Sequence, residues 1–123
     1  MIIEDDEDSA LVIQTTLDLS GAQTWVVSSA EQALELLDET IPDLMLVDLA
    51  LPGMDGWSLI HHIRSEARFI RIPAIVMSAY LTRTVAQKAL ASGFTGCLPK
   101  PIDTTSLIEQ LTHILQNSTP LSN

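Results

Sequence analysis

The chain has 123 residues, 46% of them hydrophobic, and a formal charge of −10 set by 16 acids against six lysines and arginines. That length fits one compact domain with a real core, and six bases cannot readily build a phosphate-binding surface, which excludes direct nucleic-acid binding and favours a cation or a basic partner. A single cysteine, Cys97, permits no internal disulfide or zinc-thiolate set, no apolar run approaches a membrane span, and no signal-peptide pattern opens the chain, so a cytoplasmic setting without membrane insertion is expected.

Met1-Ile2-Ile3 reads as a clipped strand, and acids follow at once. Leu11 to Leu19 reads as a helix and Gln23 to Val27 as a strand. "SSAEQALELLDE" is a helix whose Ser29 cap is followed three residues later by Gln32. After Pro42 comes a strand over Asp43 to Val47, a helix over Trp57 to Ser65 and, past Pro73, a strand over Ala74 to Met77. A helix over Thr84 to Ala91 ends at Gly93 and a short strand covers Gly96 to Leu98. Thr104 to Gln116 forms a last amphipathic helix with Leu107, Ile108, Leu111, Ile114 and Leu115 on its apolar side. The expected domain is residues 1–116, with 117–123 a tail or the start of a linker. Strands alternating with helices, and strands that are apolar almost throughout, predict an α/β fold with a five-stranded parallel sheet covered on both faces.

The polar residue after each strand carries the chemistry. Glu4, Asp5 and Asp6 follow the first strand, Asp48 the third, Ser78 the fourth and Lys100 the fifth. In an open parallel sheet these ends share the edge where ligands bind. Two carboxylates about 4 Å apart repel by roughly 4 kcal/mol at an effective dielectric near 20, so Glu4, Asp5 and Asp48 together require a cation. All-oxygen ligands favour Mg²⁺ or a similar hard ion, which takes one or two carboxylates and leaves room for phosphate oxygens. Lys100 and the Ser78 hydroxyl suit those oxygens, and Asp48 is then the candidate nucleophile, since carboxylates form aspartyl-phosphates.

With these residues in order, the chain resembles a response-regulator receiver domain of two-component signalling, of the chemotaxis-regulator type. "IIEDDED", "LMLVDLALPGMDG", "IPAIVMSA" and "GFTGCLPKP" carry the resemblance. It implies a doubly wound, flavodoxin-like sheet of order 2-1-3-4-5 with five helices. It implies a signalling switch rather than a turnover enzyme, phosphorylated on Asp48 by a histidine kinase or histidine phosphotransfer protein and read by a downstream protein or attached output domain. Asp5 would hold Mg²⁺ or Mn²⁺ directly, Glu4 through water, and Ala50 through its backbone carbonyl; the register Glu4/Asp5 is favoured over Asp5/Asp6. Ser78 would be the switch hydroxyl and Lys100 the phosphate partner, with Lys100-Pro101 a cis peptide. Ala50 and Tyr80 fall at positions that in this family influence phosphoryl lifetime. One departure stands out: the family places an aromatic where this chain has Cys97, which is too small to report the switch in the same way.

Two other functions compete. A haloacid-dehalogenase-type phosphatase would need a second acid two residues past the nucleophile, where Ala50 stands. A binding-only pseudo-receiver has Cys97 as its sole hint. His61, His62 and His113 lack metal-ligand spacing and read as solvated or interfacial. Trp57 reads as a packing residue at a helix start, and Cys97 as a small half-buried side chain. The first helix has more apolar surface than one stripe needs; the preferred reading is overcovered core, with an outward Leu11 that docks a kinase as the alternative.

Overall fold

The computed structural model describes residues 1–117. Five strands form one parallel sheet: β1 (Ile2–Ile3), β2 (Val26–Val27), β3 (Met45–Asp48), β4 (Ala74–Ser78) and β5 (Gly96–Pro99), in the order β2-β1-β3-β4-β5. Five helices connect and flank them: α1 (Glu7–Leu19), α2 (Ala30–Leu37), α3 (Gly56–Arg64), α4 (Arg83–Ser92) and α5 (Leu107–Asn117). This is the expected doubly wound, flavodoxin-like arrangement.

Side chains alternate across a strand, which divides the core in two. Ile3, Met45, Val47 and Val76 face α2, α3 and α4, where Ala33, Leu59, Ile63 and Ala89 meet them. Ile2, Leu46, Ile75 and Met77 face the other way, against Ile13 and Leu17 of α1 and Leu107 and Leu111 of α5. Truncating any of these fully buried aliphatic side chains to alanine costs about 2–5 kcal/mol.

Helix starts follow their caps. The Asp6, Ser29, Asp55 and Thr82 side chains accept from the N–H groups of Ser9, Gln32, Ser58 and Val85. Gln32 reaches back to the N–H of Ser28 at 2.8 Å, one residue ahead of the cap itself. Capping moves α1 forward to Glu7, four residues before its apolar run begins. The last helix moves the other way. Thr105 and Ser106 bond to the Asp103 carboxylate, closing a turn that delays α5 to Leu107, and α5 runs through Asn117, the first residue of the stretch read as tail. Residues 118–123 of that stretch lie outside the described residues.

Two apolar assignments change. Ile108 and Leu115 of α5 are exposed, leaving Leu107 and Leu111 as its buried anchors. On α1, Ala10, Ile13 and Leu17 already fill the contact with the sheet, so Leu11 and Val12 stand 61% and 46% exposed rather than overcovering the core. Trp57 is half-buried at the start of α3, edge-on to Phe94 at 6.2 Å, with the Lys88 ammonium of α4 4.4 Å from its ring centre. His61, His62 and His113 are exposed.

Candidate functional site

The parallel register brings the strand ends together. Ile3 pairs with Val47, Asp48 with Met77 and Ser78 with Pro99, so Glu4, Asp48, Ser78 and Lys100 leave the sheet on the same edge. Glu4, Asp48 and Ser78 are the buried polar side chains among the described residues, at 2%, 5% and 7% exposure. Asp5 is exposed at their rim.

Carboxylate oxygens of Glu4, Asp5 and Asp48 lie within 4.8 Å of one another. Lys100 Nζ donates to Glu4 Oε1 at 2.6 Å and to Asp48 Oδ2 at 3.3 Å. Burial, together with the neighbouring Asp48 carboxylate, pushes the Glu4 carboxyl up to about 7 against the opposing pull of Lys100. Burial pulls the Lys100 ammonium down, but its bonds to Glu4 and Asp48 outweigh that and hold it above its ordinary value. One ammonium among three carboxylates leaves the pocket short of positive charge. An all-oxygen donor set with that deficit suits a small hard divalent cation, so the residues present fit Mg²⁺ or Mn²⁺.

The neighbouring acids do different work. Asp6 Oδ2 accepts from both the Ser9 N–H and hydroxyl, which commits it to capping α1 and leaves Glu4 and Asp5 as the pair beside Asp48. The Ala50 N–H donates to Asp48 Oδ1 at 3.1 Å, bringing the Ala50 backbone beside the cluster. Ser78 sits at the edge, but its hydroxyl accepts from the Tyr80 N–H at 3.1 Å, while its carbonyl accepts from the Lys100 N–H at 2.8 Å. Lys100-Pro101 is cis. Gly56, at the far end of the loop after Asp48, is tightly packed: a Cβ there would lie 3.1 Å from the Asp48 carbonyl oxygen and would push the backbone by a few tenths of an ångström. Half-buried Cys97 sits on β5 opposite Val76, and burial pushes its thiol up.

Two contributors escaped the sequence reading. Glu31 of α2 accepts from the Met54 N–H at 3.3 Å, and Arg64 binds four carbonyls beyond α3. Glu31 reads as one more solvent-facing helix acid, and nothing in the sequence marks its partner 23 residues away.

Residues 1–112 match the family described as the response regulator receiver domain. The chain belongs to that family. A 14.6 kDa protein in the sodA1 3′ region of Leptolyngbya boryana is 37% identical over 108 residues, covering 88% of this chain and 82% of that protein. The sensor histidine kinase TmoS of Ectopseudomonas mendocina is 30% identical over 94% of this chain, which spans 12% of the kinase. Among solved structures, the signal receiver domain of a DNA-binding response regulator from Colwellia psychrerythraea 34H superposes with a TM-score of 0.84 at 30% identity, covering 94% of this chain and 96% of that one. The receiver domain therefore has the sheet order and the two-component signalling relatives expected from its motifs. None of its described helices is long and apolar enough to cross a membrane.

Proposed function

We propose that this receiver domain takes a phosphoryl group onto Asp48 from a phosphohistidine of a kinase or phosphotransfer protein, in the cytoplasm, and signals by the charge it gains. The observation that carries this reading is Lys100, whose ammonium touches both Glu4 and Asp48 across the acidic cluster. An Asp48 carboxylate oxygen attacks phosphorus, forming the acyl-phosphate P–O bond. The P–N bond of the donor breaks and its electron pair stays on the departing histidine nitrogen. The phosphoryl group arrives beside Lys100, which offsets its charge, the largest demand of phosphoryl transfer. The Ser78 hydroxyl, which accepts from the Tyr80 N–H, keeps its own O–H free to donate to a phosphoryl oxygen. Asp5 and Asp48 directly, Glu4 through water and the Ala50 carbonyl would hold Mg²⁺ or Mn²⁺, which when bound neutralises phosphoryl charge.

Water later cleaves the acyl phosphate, so the domain resets without turning over a substrate. Turning the Asp48 carboxylate into a dianionic acyl phosphate adds a net charge of about −1, which biases the surrounding loops between two arrangements, and a downstream protein or attached output domain reads the difference. The buried cluster supports this reading over a binding-only module, which has no need to hold Glu4 and Asp48 out of water. The absence of an acid at Ala50 speaks against a phosphatase. Incubation with acetyl phosphate and Mg²⁺, followed by intact mass, should show one phosphoryl adduct on the wild-type chain and none on Asp48→Asn. An adduct on both would refute the assignment.

A further inference from the structure

The loop between Asp48 and α3 must keep the Ala50 backbone beside the acidic cluster; Leu51 anchors its middle in the core, with Leu49 and Met54 packed against the same cluster of apolar side chains, while the rest of the loop faces solvent. Ala50, Pro52, Gly53 and Asp55 are exposed, and Gly53 needs the left-handed backbone at φ 71° that favours glycine. One end is tied to the sheet and the two ends are tied to each other. The Leu49 N–H donates to the Met77 carbonyl at 3.0 Å and the Gly56 N–H to the Leu49 carbonyl at 3.2 Å. The crest is held differently: the Met54 N–H donates to Glu31 Oε2 at 3.3 Å, from the first turn of α2. The same oxygen closes over Gly53, where a Cβ would lie 3.0 Å from it. Among the described residues, no other side chain outside 48–56 accepts a hydrogen bond from this loop.

We propose that Glu31 is a positioning residue for the phosphoacceptor site, its carboxylate clamping the crest of the 49–55 loop and thereby setting cation affinity at Asp5 and Asp48. The inference rests on the function proposed above. Glu31 touches neither the cation nor the phosphoryl group. It acts through backbone, as an acceptor for one N–H, and a mobile crest would spread Ala50 over positions that do not serve the cation.

The test separates hydrogen bonding from charge. Glu31→Ala removes the acceptor, Glu31→Gln keeps a side-chain oxygen for Met54 without the charge, and Glu35→Ala removes an equal charge one turn further along the exposed face of α2. Three quantities are read on each purified chain: Mg²⁺ affinity by calorimetry, hydrogen exchange of the Met54 amide without metal, and the thermal midpoint. Glu31→Ala is expected to weaken Mg²⁺ by about three- to fivefold, the worth of one exposed hydrogen bond. Its Met54 amide should exchange faster, while the thermal midpoint falls by no more than a few degrees, the worth of that one bond. Glu31→Gln and Glu35→Ala should behave like wild type. Equal weakening in Glu31→Ala and Glu35→Ala would reduce the effect to long-range charge and overturn the proposal. Unchanged Mg²⁺ affinity in Glu31→Ala with a deprotected Met54 amide would overturn it as well. A wild-type chain that binds no Mg²⁺ would instead fail in its own titration and bring down the proposed function.

Discussion

Lys100 Nζ lies 2.6 Å from Glu4 Oε1, joining residues 96 positions apart. The ammonium is therefore a structural counter-ion for the metal-free pocket, besides the phosphoryl-pairing role proposed for it above. Lys100→Met should separate the two roles. Phosphorylation by acetyl phosphate should fall about 10²-fold, the usual effect of deleting one preorganised group facing developing negative charge. Mg²⁺ affinity should rise, because the competing cation is gone. Intact-mass time courses and calorimetric titration measure the two quantities. A parallel loss of both would mean that Lys100 only holds the fold together.

The Glu4 carboxyl, raised from 4.5 to about 7, gives the metal-free domain a pH dependence of known sign. The folded state keeps a proton that the unfolded chain releases, so the stabilisation is complete below about 4.5 and is lost as pH rises through about 7. At about 1.4 kcal/mol for each pH unit, that amounts to roughly 3 kcal/mol. Urea midpoints without metal should fall between pH 5 and pH 8, and Glu4→Gln should flatten that fall. Mg²⁺ needs the ionised carboxylate, so its affinity should climb across the same window with release of protons, which titrations in buffers of different ionisation enthalpy detect. A metal-free midpoint that rises from pH 5 to pH 8 would contradict the burial argument.

The sheet was legible because its strands are apolar on both faces, and the site because Glu4, Asp48, Ser78 and Lys100 each stand at or just past the end of a strand. Convergence of four such ends on one edge is a property of parallel topology, so it could be read without coordinates. Helix boundaries were less legible where side-chain bonds decide them. Asp6 extends α1 ahead of its apolar run, and Asp103 holds Thr105 and Ser106 in a turn before α5. Outward apolar residues were least legible, since Leu11 and Val12 have the composition of core and only the sheet's geometry shows that Ile13 and Leu17 already fill it. Contacts such as Glu31 with Met54 join helix to loop with no sequence pattern at all.

Arg64 illustrates a further long-range tie. Its Nε donates to the Gly93 carbonyl at 3.0 Å, Nη1 to those of Phe69 and Ile70 at 3.1 and 3.3 Å, and Nη2 to that of Ile72 at 2.7 Å. Burial lowers its pKa, and these carbonyls stand in for a carboxylate partner. The fork geometry joins the end of α3, the segment before β4 and the left-handed Gly93 cap of α4. Arg64→Ala should therefore cost about 2–4 kcal/mol in urea unfolding, from several charge-assisted bonds and the carbonyls left behind. Arg64→Lys should recover less than half, because one ammonium cannot serve four acceptors spread over two segments. A cost below about 0.5 kcal/mol, normal for a surface substitution, would refute the tie.

The exposed pair Leu11 and Val12 lies in an acidic setting. Thirteen of the sixteen acids and none of the six bases precede Arg64, and Asp5 to Asp8 stand at the head of α1. A cavity of about 320 Å³ adjoins Val12, lined also by Asp8, Ser9, Lys100, Pro101 and Ile102. For the phosphotransfer proposed above, an apolar centre with an acidic collar next to Lys100 would suit a basic, amphipathic helix carrying the phosphohistidine. Leu11→Ala with Val12→Ala should slow phosphotransfer from a histidine phosphodonor about tenfold, which corresponds to about 1.4 kcal/mol for the two truncated contacts together. Acetyl phosphate, too small to use that surface, should phosphorylate the double variant at the wild-type rate. Raising salt should slow the protein donor more than the small one, because the collar steers association electrostatically. Equal losses with both donors would place the defect at Asp48 rather than at α1, and the docking role would fall.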